Sequence, residues 1–548
     1  MSNDDNNHHE ASTMLESSVA PTELIQQSSR LLLTQWVKTI SLLRGVFCLL
    51  GIGVLVPWNA FISAKDYFQA RFCMAHMEST FVVLFTLSSV VSMGVILLTQ
   101  WLWEQTRRRR IPTEEPNDQR SHSNDEKASK FWFVQVPFVT YVLIFLAQAI
   151  MVTSISMKGI TGWTLFSLIV SGAINVVASA GVVAAATTFT RPDWAMSPFL
   201  QGQSLGGVAV SLANFAAAIS KNPDEYWKNS CSDNLDGEID LDTRILSEAQ
   251  SCGNYHSTDW GMFIYFLVAA LVLAMCLIGY SMIDALRLEV ESHSSTTSDF
   301  ERESQRIGVE LLPNVDDDDD DEGTSQDCST RDERLDMSAH ASYGAADGLL
   351  RDGVADIHES SVTMSASQVL WLVRDPTTCI FTTFVVTLAL FPGWTSELTS
   401  IWRCNSHIRL VNDLYTPLTF LIFNIGDFMG RLMAGRYLEF LRHRLVTASF
   451  LRFAFIPLLL SCNSSYGGRF HIPSDLYSFL VQGAFSVSNG VLLTASFAHA
   501  PSLIASSNGN IESQTNQRMS EILTFTVALG LLGGSLLSFP VSNLLASG

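Results

Sequence analysis

The sequence predicts an all-α membrane protein with eleven transmembrane helices, arranged as six helices, a long polar loop and five more. Of the 548 residues, 47% are hydrophobic and only 16% are charged, whereas about 25% of residues are charged in soluble domains. The apolar residues fall in uncharged runs of about 20 residues, the length a helix needs to cross a bilayer core. These spans must be helical, because lipid cannot satisfy open backbone groups and the runs are too long for barrel strands.

The predicted spans are the uncharged runs bounded by charged or polar residues. The first six occupy residues 43–65, 78–103, 132–154, 162–189, 197–219 and 260–284. The other five occupy residues 376–398, 413–436, 446–463, 475–498 and 519–545. The chain therefore divides into an N-terminal tail, spans 1 to 6, an acidic loop and spans 7 to 11, at residues 1–42, 43–284, 285–370 and 371–548.

Much of the formal net charge of −20 belongs to the loop at 285–370, which contains the run Asp316 to Asp321. Like-charge blocks of this kind are typical of disordered, solvated segments, with calcium binding or a trafficking signal as alternatives. A basic stripe with interleaved aromatic residues is absent from the sequence, which argues against a nucleic-acid partner. Metalloprotease, nucleophile-elbow and P-loop motifs are also absent, so we expect neither an enzyme nor a bound cofactor or metal.

Basic residues in short loops set the orientation of a multi-pass protein. The cluster Arg107 to Arg110 follows the second span, and placing it in the cytosol puts the N-terminus inside and the C-terminus outside. The loop at about 220–259 then faces outside with Cys231 and Cys252, which form either a disulfide or two free thiols.

The eighth predicted span carries a polar stripe. Asp427 and Arg431 lie one helical turn apart and can pair, and Asn424 and Phe420 extend the same face. Ionisable groups within a span cost at least about 2.5–3.5 kcal/mol each, so this face should point into the bundle or a watery cavity. Two interpretations remain open: an ion pair that only fixes helix register, or a recognition site for a polar ligand.

Other predicted spans contain polar, charged or helix-bending residues that are unusual within a membrane helix. Pro57, Trp58 and Asn59 lie in the middle of the first span, where proline bends a helix and the indole can stack on a planar ligand. In the ninth span, Arg452 is expected to extend to the cytosolic surface. The small residues from 202 to 207 in the fifth span, and the glycines beside the polar stripe, predict close helix packing.

Several of these motifs resemble the signatures of the equilibrative nucleoside transporter family. The stretch Gly53 to Phe68 resembles its first-helix signature, and Phe423 to Arg431 resembles its eighth-helix signature. Phe391-Pro392, Leu451 to Pro457 and Ser488 to Gly490 fit the family in the same order. The resemblance spans the membrane portion of the chain but neither the N-terminal tail nor the acidic loop.

The resemblance implies a major-facilitator-like architecture of two helix bundles that move nucleosides or nucleobases by alternating access, by facilitated diffusion or with a proton. It assigns substrate contacts to Trp58, Asn59, Ile62, Ser179, Phe391, Phe420, Asn424, Asp427 and Arg431. Pro57 and Pro392 would act as hinge or gate residues. Ser179 lies where many relatives have a base-reading glutamine, so base preference is expected to differ, and Asn175 could substitute for it.

Two alternative functions remain at this point: an organic cation or monoamine carrier of the same fold, and a membrane sensor that transports nothing. Candidate proton carriers are Asp66, Glu397 and Asp427. The expected location is the lipid bilayer of the plasma membrane, with an internal membrane as the alternative.

Overall fold

The computed structural model of the chain describes residues 7–64, 67–68, 77–109, 131–153, 157–189, 191, 194–220, 231, 260–290, 364–464, 472–507 and 513–546. Within them the chain is helical apart from turns, short irregular stretches and one isolated bridge between Leu398 and Ser464. The predicted all-α class is confirmed. Asp66, Cys252 and most of the predicted acidic loop lie outside the described residues.

The N-terminal part of the chain forms six long helices. They are α1 (Asn7–Ser63), α2 (Met77–Arg109), α3 (Val136–Val152), α4 (Met157–Thr187), α5 (Met196–Ser220) and α6 (Trp260–Ser281). A π-helical turn, Phe131–Gln135, precedes α3. Helix α1 begins at Asn7, so most of the predicted tail at 1–42 belongs to the same helix as the first span.

Among the described residues of the C-terminal part, seven α-helices follow. They are α7 (Ala366–Leu372), α8 (Arg374–Leu390), α9 (Tyr415–Leu441), α10 (Leu445–Leu451), α11 (Phe455–Leu460), α12 (Asp475–Ser507) and α13 (Ser513–Ala546). Helix α8 ends at Leu390 because Phe391 precedes a proline and takes an extended conformation. Pro392 therefore lies just beyond the end of this helix.

Nine helical segments of the described chain are long and apolar enough to cross a membrane. The predicted eighth span is α9, a helix of 27 residues that carries the polar stripe. The predicted ninth span corresponds to the shorter apolar stretch Leu445–Leu460. The chain is thus a multi-pass membrane protein, and the count of eleven spans stays a prediction.

The helices pack mainly within two groups that follow chain order, α1–α6 and α7–α13. Closely packed pairs within the groups include α1 with α5, α2 with α4, α8 with α13, and α9 with α12. The groups meet along two seams. In one, α5 packs against α9, and in the other α13 packs against α2 and α4. These two seams are the main contacts between the two groups.

Glycine allows the closest of these contacts, as the sequence predicted. A Cβ atom placed on Gly202 of α5 would lie 2.0 Å from the backbone oxygen of Cys48 in α1. A Cβ atom on Gly430 of α9 would lie 2.2 Å from the backbone oxygen of Val487 in α12. Neither backbone can move aside without separating two helices, so only glycine fits at these positions.

The predicted disulfide partner of Cys231 is wrong. Cys231 is bonded to Cys404, 173 residues away in the segment between α8 and α9, with a Cα–Cα distance of 5.5 Å. The packing of α5 against α9 accounts for this pairing, because the C-terminal end of α5 contacts Arg409, which lies close to Cys404 in the chain. The bond joins the two helix groups covalently.

Arg409 reinforces the same end of this seam. Its guanidinium donates hydrogen bonds to the backbone oxygens of Ala218 and Ile219, at 2.8 and 2.7 Å, at the C-terminal end of α5. It also pairs with Asp413 at 2.6 Å. Hydrogen bonding to Asp413 raises the pKa of Arg409.

Candidate functional site

The polar stripe of α9 lies in the seam between α5 and α9. Asp427 and Arg431 form the predicted ion pair, with 2.9 Å between Arg431 Nε and Asp427 Oδ2. Both side chains are buried, with 6% and 7% of the residue surface exposed. A pair this deeply buried is stable only when further hydrogen bonds satisfy its remaining polar atoms.

Three donors satisfy the Asp427 carboxylate. Oδ2 accepts from Arg431 and from the Ser204 hydroxyl of α5, the latter at 2.7 Å. Oδ1 accepts from the Asn489 amide of α12 at 2.6 Å. Since Ser204 belongs to the other helix group, Asp427 is a polar contact between the two groups.

Arg431 reaches across the same seam. Its Nη1 donates to the backbone oxygen of Leu200 at 2.7 Å and to the Gln203 side chain at 3.2 Å, both on α5. The ion pair therefore holds the two helix groups together in this state. Both interpretations of the pair, fixing helix register and recognising a ligand, stay open.

Asn424 and Phe420 extend the stripe along α9. The Asn424 amide donates to the Phe420 backbone oxygen at 2.9 Å. Its Oδ1 lies against Gly207 of α5, where an added Cβ would be only 2.4 Å away. Phe391, just after α8, meets the Phe420 ring edge-on at 5.2 Å and stacks on Phe423 at 3.8 Å. Half-buried Pro392 follows this aromatic cluster.

The predicted residues of α1 lie on the other helix group. Trp58, Asn59 and Ile62 are half-buried, and the Trp58 ring packs on Phe85 of α2 with 5.0 Å between ring centroids. Helix α1 continues through the buried Pro57. Trp58 is thus partly packed against its own helix group.

A small cavity of about 70 Å³ lies between the two helix groups. Ser179 and Asn175 of α4 line it, together with Gln203, which also accepts from Arg431. Phe384 and Phe497 close its other side. Sites for small molecules usually measure about 300–1,000 Å³, so this cavity is contracted and would have to widen to admit a nucleoside-sized ligand.

Sequence reasoning missed several polar residues around Asp427. Ser204 and Asn489 had been noted only within helix-packing or family motifs, and Thr387 not at all. The prediction for Arg452 is wrong: it does not extend to a surface but is 1% exposed. The turn Arg452–Ala454 between α10 and α11 places it against α12, where it donates to the Phe485 backbone oxygen at 3.0 Å.

The second seam contains a carboxylate that the sequence analysis also missed. Glu521 of α13 is completely buried, and its Oε1 accepts from Gln100 of α2 at 3.1 Å and from Gln517 at 3.0 Å. The bond to Gln100 joins the two helix groups as the Ser204–Asp427 bond does. Each seam is thus held by hydrogen bonds that rigid-body separation would break.

A protein-family model described as "Nucleoside transporter" matches residues 244–542, more than half of the chain. The chain belongs to this family. Human equilibrative nucleoside transporter 2 is 24% identical to this transporter over 91% of this chain and 96% of the relative. Human equilibrative nucleoside transporter 1 is 23% identical over 90% and 95%, respectively. The resemblance drawn from the helix motifs is thereby confirmed.

Yeast nucleoside transporter FUN26 is 34% identical to this transporter over 171 residues, which make up 29% of this chain and 31% of the yeast protein. The crystal structure of nucleoside transporter NupG matches with a TM-score of 0.39 at 9% identity, covering 92% of this chain and 91% of that one. A TM-score of this size adds no argument about the fold.

Proposed function

We propose that this transporter moves nucleosides across its membrane by alternating access, binding them between the two helix groups beside Asp427 and Arg431. Family membership supports the substrate class. The single observation that carries the site assignment is the buried Ser204–Asp427–Arg431 cluster, which borders the cavity through Gln203.

The chemistry of the cluster suits the sugar of a nucleoside. A carboxylate accepts hydrogen bonds from hydroxyl groups, and a guanidinium donates to hydroxyl or carbonyl oxygens. The Ser204 hydroxyl donates to Asp427 Oδ2 in the contracted state. A ribose hydroxyl can replace Ser204 as the donor when α5 and α9 separate. The ribose and the Ser204 hydroxyl therefore compete for the same carboxylate oxygen of Asp427.

Other residues complete the proposed site. Trp58 and Phe391 provide aromatic surface for the base, with Asn59, Ile62 and Phe420 as further lining residues and Pro392 beside the entrance. Ser179 and Asn175 lie in the cavity wall, where they can read the base by hydrogen bonding. Pro57 is the proposed hinge of α1. Nucleobases without the sugar are weaker candidates, because they lack the hydroxyls that the Asp427–Arg431 pair would bind.

The contracted cavity supports alternating access. A contracted site is expected between states that open to one side or the other, and polar contacts at both seams can break and reform. Facilitated diffusion and proton coupling are both compatible with it. The N-terminus is proposed to be cytosolic and the C-terminus outside, with the plasma membrane as the site of action.

The surroundings of Asp427 disfavour an organic cation as substrate. The Arg431 guanidinium, 2.9 Å away, offsets the carboxylate charge, and both carboxylate oxygens already accept hydrogen bonds. A monoamine would have to bind next to a fixed positive charge. Competition of uridine uptake by unlabelled nucleosides, but not by monoamines, would distinguish the two substrate classes.

The test of the site is uptake of radiolabelled uridine by proteoliposomes that contain the purified protein. Asp427→Asn and Arg431→Gln should each lower uptake at least tenfold, since each leaves a buried charged partner unpaired. Arg436→Gln, on an exposed position of the same helix, is the matched control and should retain wild-type uptake. Wild-type uptake by both buried-pair variants would refute the site assignment, and comparing vesicles with and without a pH gradient tests proton coupling.

A further inference from the structure

Arg452 is a buried cation without an ion-pair partner in the part of the chain that the structure describes. It donates hydrogen bonds to the Phe485 backbone oxygen, to the Ser488 hydroxyl and, at 2.9 Å, to the Thr387 hydroxyl. Its guanidinium also lies over the Phe485 ring, 4.7 Å from the centroid. Burying a charge is unfavourable unless an opposite charge or hydrogen bonds offset the lost hydration. The hydrogen bonds of Arg452 lead toward the Asp427 carboxylate.

A chain of hydrogen bonds connects the two charges. Arg452 Nη2 donates to Thr387 Oγ1, Thr387 Oγ1 lies 2.8 Å from Asn489 Oδ1, and Asn489 Nδ2 donates to Asp427 Oδ1 at 2.6 Å. All four residues are buried, each with no more than 6% of its surface exposed. Arg452 Nη2 and Asn489 Nδ2 both donate in the direction from the cation to the anion, and the bonds polarise one another when the Thr387 proton faces Asn489.

The direction of this chain fixes the amide of Asn489. An ionised Asp427 can only accept hydrogen bonds, so the NH2 group of Asn489 must face it and the amide oxygen must face Thr387. Thr387 has a single proton, and the Thr383 backbone oxygen at 2.7 Å competes for it. The Thr387 hydroxyl oxygen already accepts a hydrogen bond from Arg452. Its own proton can therefore be donated to the Asn489 amide oxygen or to the Thr383 backbone oxygen.

Asn489 is the donor that holds Oδ1 of Asp427, whereas Ser204 and Arg431 both bind Oδ2. When the seam opens, Ser204 leaves. The angle of the carboxylate plane is then determined by Arg431 on one oxygen and Asn489 on the other. Without Asn489 held in place, the Asp427 carboxylate can rotate about its Cβ–Cγ bond. Its oxygens would then no longer be aligned with the hydroxyls of the sugar.

We propose that Thr387, Asn489 and Arg452 are positioning residues that orient the Asp427 carboxylate for recognition of the sugar hydroxyls. This inference rests on the proposed function, because it requires that Asp427 bind the sugar. The three residues act through one another and need not touch the substrate. Their effect should therefore appear in discrimination between sugars, more than in the amount of folded protein.

The test compares uptake of uridine and of its 2′,3′-dideoxy analogue, which lacks the 2′- and 3′-hydroxyls of the ribose, by proteoliposomes. Thr387→Val removes the hydroxyl while keeping the side-chain shape. It should lower the ratio of Vmax/KM for uridine to that for the analogue about tenfold, equivalent to about 1.4 kcal/mol. Thr387→Ser restores the hydroxyl and should restore the ratio.

Thr383→Val is the matched control. Thr383 lies one turn earlier on α8 and is completely buried, and its hydroxyl takes no part in the hydrogen bonds that lead to Asp427. This variant should keep the wild-type ratio. The inference is overturned if Thr387→Val lowers transport of both substrates in parallel, or if Thr383→Val shifts the ratio as much. A wild-type protein that does not prefer uridine over the analogue would refute the proposed function itself.

Discussion

The hydrogen bond between Ser204 and Asp427 provides a sharp test of how this transporter binds its substrate. Ser204→Ala removes a single hydroxyl at a residue with 4% of its surface exposed. Arg431 and Asn489 continue to satisfy the carboxylate, so no charge is left unpaired. The contracted state then loses one hydrogen bond to a charged acceptor, whose net contribution is about 1.5–3 kcal/mol.

This loss has a predictable effect on substrate affinity. The Ser204 bond joins α5 to α9 and exists only while the two helix groups are in contact. Removing it destabilises the contracted state relative to the open one by a factor of about ten to one hundred. Because apparent affinity scales with the fraction of protein that can bind, the KM for uridine should fall, by about tenfold where the contracted state predominates.

The assay is the initial rate of uridine uptake by proteoliposomes over a range of concentrations. Ser211→Ala is the control, since Ser211 is a buried serine of the same helix whose hydroxyl donates to the Val208 backbone oxygen in its own helix. It should leave KM unchanged. An unchanged or raised KM in Ser204→Ala, with a normal control, would refute the idea that Ser204 and the substrate compete for Asp427.

The remaining predictions concern packing and covalent connectivity. Gly202→Ala should sharply reduce the yield of folded protein, because its new methyl group meets a backbone oxygen of α1 at 2.0 Å, whereas Gly162→Ala has open space around it and should fold normally. With a protease site inserted at 291–362, the two fragments should stay together on a denaturing gel without reductant and separate when Cys404→Ser is introduced. Separation of the wild-type fragments without reductant would instead mean that Cys231 is not bonded across the two helix groups.

The amino-acid sequence alone determined the features that depend on local geometry. The length of each apolar run predicted a helix, since the thickness of a bilayer core sets how many residues a span needs. The spacing of Asp427 and Arg431 predicted their pairing, because residues four apart on a helix are neighbours wherever the helix lies. The glycines of the fifth and eighth spans likewise predicted close packing, since a missing side chain allows approach by any neighbour.

The tertiary structure decided what those residues contact. Ser204 and Asn489 reach Asp427 from 223 and 62 residues away, respectively, and no local pattern indicates which helices will pack together. Arg452 shows the same limit, because hydropathy cannot tell a charge near a helix end from one turned toward a neighbouring helix. The partner of Cys231 was misassigned for the same reason: cysteines in one loop look paired, but the packing of α5 against α9 brings Cys404 closer. Local spacing is fixed by bond geometry, whereas these contacts depend on how separate helices pack.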